Sequence, residues 1–151
     1  MEENQVVLKF ILPLLALIGG MGLAAQGQIN GGLGRKIGVI ESAFMNFAVG
    51  TLVLLLILIF FGNGNISAVT TVPKWQIIGG LLGSFFVLIQ VLVVPKIGVS
   101  TTFIAVIVGQ IILSVIIDHF GLFGGNRFPI DKQKMIAILL MLAALFLYIK
   151  K

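Results

Sequence analysis

Cysteine is absent from this chain of 151 residues, which has a single histidine and five acidic residues. Without cysteine there are no disulfides, no thiolate metal sites and no thiol catalysis, and the redox compartment stays open. One histidine cannot supply paired metal ligands, and no Ser-His-Asp set assembles around it. No glycine-rich stretch runs into a lysine followed by serine or threonine, so the phosphate-cradling loop of an ATP-driven pump is missing too. Charge itself is scarce. Charged residues make up 10% of the chain, against about 25% in an average soluble domain. These absences argue against an enzyme, a resident metal or a cofactor.

What the chain has is apolar length. Uncharged runs cover residues 10–34, 42–73, 75–95, 97–117 and 135–149. A helix needs about 20 apolar residues to cross a hydrocarbon core, somewhat fewer when flanking lysines snorkel, so all five can span. The expected fold is an all-α membrane protein in one transmembrane domain, with spans at about 10–33, 41–61, 75–94, 100–119 and 135–149. The first run is longer than the apolar centre of a signal peptide and lacks a basic leader, so it is read as the first span. The net charge of +5 comes from residues beside the spans. It therefore points to lipid headgroups and not to nucleic acid.

Five spans put the two ends of the chain on opposite sides and sort its cations. Lys9, Lys74, Arg127, Lys132 and Lys134 fall on one side; Arg35, Lys36, Lys96, Lys150 and Lys151 fall on the other. Because the Lys/Arg excess in short loops sets orientation, an even split carries almost no instruction about which way to insert. The expectation is insertion in both orientations and antiparallel pairing of two copies; the competing reading lets the acidic start, Glu2 and Glu3, set one orientation. The connections around Arg35-Lys36 and Lys96 are as short as helical hairpins, and residues 120–134 form the loop with most room for structure. Asn65-Ile66-Ser67 matches the glycosylation tripeptide, a pattern common by chance.

Helical spacing sets the polar faces. Gly22, Gln26 and Asn30 recur every four residues in the first span, as do Ser42, Asn46 and Gly50 in the second. The third span carries Gly79, Gly83, Phe86 and Gln90 on one face, and the fourth carries Thr102, Gln110, Ser114 and Asp118. Amides cannot face lipid without losing their hydrogen bonds, so these stripes should turn toward protein or a water-filled cavity. Side chains of this kind are also ordinary glue between membrane helices. A binding role is favoured by coincidence: Gln26, Gln28, Asn30, Glu41, Asn46 and Gln90 all lie in helix halves on one side, with Gln110 near mid-membrane. Expected substrate-binding residues are Gln26, Asn30, Asn46, Gln90 and Gln110. Glu41, at the start of the second span, sits where the helix dipole favours a negative charge, with Arg35 or Lys36 as a partner; Asp118, at the end of the fourth, sits where the dipole disfavours one and needs Arg127, Lys132, a protonated state or water. These two are the candidate coupling groups, Glu41 ahead because it shares a side with the amides. His119 reads as an interfacial anchor.

The string of residues 25–35, Ala-Gln-Gly-Gln-Ile-Asn-Gly-Gly-Leu-Gly-Arg, resembles a known family, together with residues 46–51, Pro95-Lys96-Ile97-Gly98, Gly109-Gln110 and residues 118–121. It is similar to the YdcZ-type small bacterial membrane proteins of the drug/metabolite transporter superfamily. The resemblance implies a five-helix, half-sized transporter of the bacterial inner membrane, related to the small multidrug resistance proteins. It works either as an antiparallel homodimer or paired with an oppositely oriented paralogue. Small multidrug resistance proteins carry a glutamate in the first span for protons and cationic substrates; here that span holds only Gln26, Gln28 and Asn30. Proton-coupled export of lipophilic cations is therefore not carried over. The function expected is alternating-access transport of a small organic metabolite, with an amide-lined channel or a lipid-binding scaffold as the alternatives.

Overall fold

The computed structural model describes residues 10–150. Glu2, Glu3, Lys9 and Lys151, which enter the charge argument, lie outside them. Among the described residues there are five α-helices: α1 Leu12–Ile37, α2 Val39–Phe61, α3 Ile78–Ile97, α4 Val99–Phe120 and α5 Lys132–Ile149. There is no strand among the described residues. Each helix is long and apolar enough to cross a membrane, the third when counted from Lys74. The shortest, α5, has 18 residues and rises about 27 Å, near the roughly 30 Å of a hydrocarbon core. The protein is all-α and multi-pass, as expected.

Local chemistry explains where these helices begin and end. Pro13 lies in the first turn of α1, where its missing N–H costs nothing, and Arg35 and Lys36 complement the dipole in the last turn. Those two cations stay helical, so α1 runs past the expected boundary to Ile37. Gly121 ends α4 in the left-handed conformation (φ 62°). Asp131 caps α5 by accepting from the Lys134 N–H at 2.7 Å.

Two connections shrink to one residue each. Gly38 (φ 108°, ψ 154°) separates α1 from α2, and Gly98 (φ 84°, ψ 161°) precedes α4. A side chain is strained at either φ, so glycine is required there. Both stand in the same tetrapeptide, Lys-Ile-Gly-Val, at 36–39 and 96–99. The loop after α2 contains 3₁₀ turns at Ile66–Thr70 and Lys74–Ile77. Asn65 caps the first of these, its Oδ1 accepting from the Ser67 N–H at 3.1 Å.

By packing, the chain divides into two units, the break falling between Lys96 and Ile97. In the first unit, Ala43, Val87 and Val91 form a small core with Val39, Phe86 and Leu88 against it. Glycine permits the close approach of α1 and α3: a Cβ at Gly34 would run into the Val91 side chain, and one at Gly31 would lie 3.1 Å from Pro95 Cγ. This tight packing is confined to one end of the unit. Residues 10–23 of the first span, 51–61 of α2 and 78–82 of α3 are exposed throughout, and a Cβ at Gly19, Gly20, Gly22, Gly79 or Gly80 would meet nothing within 4 Å. Exposed Phe60 and Phe61 belong in lipid or against another protein surface, which a membrane supplies.

The second unit pairs α4 with α5. Tyr148 donates from its hydroxyl to Ser100 Oγ at 2.7 Å, while Ile104, Ile107 and Val108 face Met141 and Ala144. At the other end of α4 the Phe128 N–H donates to the Asp118 carbonyl at 2.8 Å. His119 Nδ1 accepts from the Ile130 N–H at 3.3 Å, an anchoring role that leaves the ring holding the loop.

Candidate functional site

Gln26 and Asn30 stand one helical turn apart on α1, and Ser42 and Asn46 stand one turn apart on α2. Since Gly38 reverses the chain in a single residue, the two pairs face each other in inverted order. Ser42 Oγ donates to the Asn30 carbonyl at 2.8 Å, and Gln26 Nε2 donates to Asn46 Oδ1 at 3.3 Å. Gln90 enters from α3 and donates from Nε2 to the Leu23 carbonyl at 3.4 Å. The first unit thus brings together four of the five expected binding residues: Gln26, Asn30, Asn46 and Gln90.

Between α1 and α2 lies an open cleft of about 560 Å³. Gln26, Asn30, Asn46 and Thr51 supply its polar groups; Ile29, Leu33, Met45, Phe47, Val49, Leu54 and Val87 supply apolar wall. Among the described residues no ionisable side chain lines it. Gln90 is not on its surface; at 1% exposure it lies behind the wall. Among the described residues two buried amide atoms have no partner, Asn30 Nδ2 and Gln90 Oε1. A buried polar atom without a hydrogen bond costs about 1–3 kcal/mol, so this region keeps unused binding capacity.

The remaining expectations fare differently. Gln28 is exposed on α1, away from the stripe of Gln26 and Asn30. Gln110 belongs to α4 in the second unit and is exposed there, as are Ser114 and Asp118, whereas Thr102 is buried and donates to the Gly98 carbonyl at 2.7 Å. Thus the fourth stripe does not turn inward along its length within its own unit. Glu41 folds its carboxylate back over Gly38, at the N-terminus of α2, and Arg127 lays its side chain over Gly121. The expected pairings of Glu41 with Arg35 or Lys36, and of Asp118 with Arg127 or Lys132, do not form: no ion pair within 4.0 Å joins the described residues. Among the described residues no three of His, Cys, Asp or Glu gather as a metal cluster.

Sequence reasoning passed over Ser42 and Thr51 as site residues. Ser42 had a signal, standing four residues before Asn46 at the head of that stripe. Thr51 had none, because it follows Gly50 and is off the four-residue spacing.

The described residues thus hold five helices able to cross a membrane, with amides gathered in the first unit. Residues 11–147 match the model of a family described as "Putative inner membrane exporter, YdcZ". The match takes in nearly the whole chain, and the chain belongs to this family of multi-pass inner-membrane proteins of the transporter class. No curated protein and no solved structure matches it.

Proposed function

We propose that this exporter moves a small organic metabolite by alternating access, as an antiparallel homodimer. One observation carries the reading: amides of α1 and α2 face each other across a cleft, with Gln90 of α3 behind its wall, and the helices pack tightly toward Gly38 and are exposed toward the opposite end. An inverted second copy presents the same shape to the other side of the membrane. Exchange of shapes between the copies would then open the path to each side in turn. The even division of Lys and Arg supports two orientations of one chain.

In this reading Gln26, Asn30 and Asn46 bind the substrate in the first unit, with Gln90 behind the wall holding the Leu23 carbonyl, and Gln110 is proposed as an amide that the dimer uses. Gln110 gives the dimer a particular need, since an exposed amide in mid-span must find a partner that lipid cannot provide. Glu41 is proposed as the coupling carboxylate ahead of Asp118, because it stands on the amide-bearing unit.

Counterflow in liposomes tests the function, using a metabolite that stabilises the purified protein against heat. A carrier gives uptake accelerated by substrate on the far side. Flux without that acceleration identifies a channel, and no flux identifies a scaffold or lipid-binding bundle. Orientation is read by single-cysteine labelling, which the cysteine-free chain makes clean. Both termini should label from both sides, and two added lysines beside Arg35 and Lys36 should bias the chain to one orientation. Labelling of the unmodified chain from one side alone would replace the homodimer with an oppositely oriented paralogue.

A further inference from the structure

We infer that the cleft between α1 and α2 selects uncharged molecules bearing a carboxamide on an apolar body. The inference rests on the reading of that cleft as the transport site and adds the chemistry of what enters it.

Charge is excluded first. Among the described residues no ionisable side chain lines the cleft, and Glu41 is turned over Gly38. An ion entering a wall of amides and hydrocarbon would leave its water without meeting a countercharge, and hydrogen bonds alone do not offset that loss. The donors and acceptors then narrow the class. Asn30 is 5% exposed, and its Nδ2 is a donor without an acceptor; Gln90 is 1% exposed, and its Oε1 is an acceptor without a donor. A ketone or ether supplies an acceptor alone. A carboxamide supplies both groups in one plane: its oxygen matches Asn30 Nδ2 and its N–H groups match Asn46 Oδ1 on the facing wall, while Gln90 Oε1 lies behind the cleft wall.

The amides already present indicate how room is made. Gln26 and Asn46 close on each other across the cleft through one hydrogen bond of 3.3 Å. That contact is amide to amide, so a ligand carboxamide can replace either partner at little loss, accepting from Gln26 or Asn30 and donating to Asn46. Its apolar remainder then lies along Ile29, Leu33 and Leu54.

Three probes of nearly one shape separate the possibilities: benzamide is neutral, benzoate is an anion and benzamidine is a cation at pH 7. Calorimetric titration of the full chain in detergent should show benzamide binding at least tenfold more tightly than either ion. Gln26→Glu keeps the shape of the side chain and adds a negative charge to the wall, so the preference should move to benzamidine; Asn46→Asp is the second variant, from the opposite wall. Equal or tighter binding of benzoate or benzamidine by the wild type overturns the inference. So does an absence of benzamide binding, or an order of preference that neither substitution changes. Counterflow of benzamide keeps this apart from the transport reading: binding without counterflow sinks transport and leaves the ligand class standing, whereas counterflow of an ion in its place does the reverse.

Discussion

Ser42 donates from its buried hydroxyl to the Asn30 carbonyl across the α1–α2 pair at 2.8 Å. The bond lies one turn beyond Gly38, so it fixes the register of the two helices just where the chain reverses. It also holds Asn30 in place while leaving the Asn30 Nδ2 unpaired. Ser42→Ala removes one interhelical hydrogen bond and should lower stability by about 0.5–1 kcal/mol, the range for such bonds in membrane helices. Reversible unfolding in mixed detergent micelles measures it. Unchanged stability would mean the bond does not hold the register.

Gly34 faces Val91 so closely that an added methyl has no room. Gly34→Ala is expected to cost about 1–3 kcal/mol by overpacking, despite alanine's better helix propensity. Because the obstruction is one side chain, adding Val91→Ala should recover part of that loss, a coupling that a double-mutant cycle reports. Simple addition of the two costs would place the contact elsewhere.

Gln110 is exposed on α4. Gln110→Leu removes no contact made within its own unit and should change the stability of the protomer by no more than about 0.5 kcal/mol. Transport should be lost, since the change deletes an amide that the dimer is proposed to use in mid-membrane. Normal transport by a folded Gln110→Leu dimer would make the residue packing glue.

Coupling is tested by uptake under an imposed pH gradient in Glu41→Gln and Asp118→Asn proteins. Glu41→Gln is expected to lose the response to the gradient while exchange continues, and Asp118→Asn to keep both. An unchanged response in both variants would mean that neither carboxylate carries the proton.

The fold was legible because charge and glycine punctuate the chain so sharply. Lys36 and Gly38 mark the first reversal as plainly as Lys96 and Gly98 mark the place before α4. The inward face of α1 was legible too, since four-residue spacing separates Gln26 and Asn30 from Gln28. Other features depend on contacts that spacing does not encode. Nothing in the order of residues says that Gly34 meets Val91, or that Gln90 passes behind the cleft wall to reach the Leu23 carbonyl. Nearness of charge misled at Glu41, where Arg35 and Lys36 stand close in sequence but the carboxylate turns over Gly38. The stripe on α4 showed the limit of periodicity: spacing identifies a face, but what covers that face is decided by packing.

The central claim is that substrate crosses through the amide cleft between α1 and α2. Its most direct test is counterflow in liposomes, comparing the wild type with a Gln26→Leu/Asn46→Leu protein that still forms the dimer. Far-side acceleration is expected in the wild type, with a loss of at least tenfold in the variant. Equal counterflow in the two proteins would contradict it.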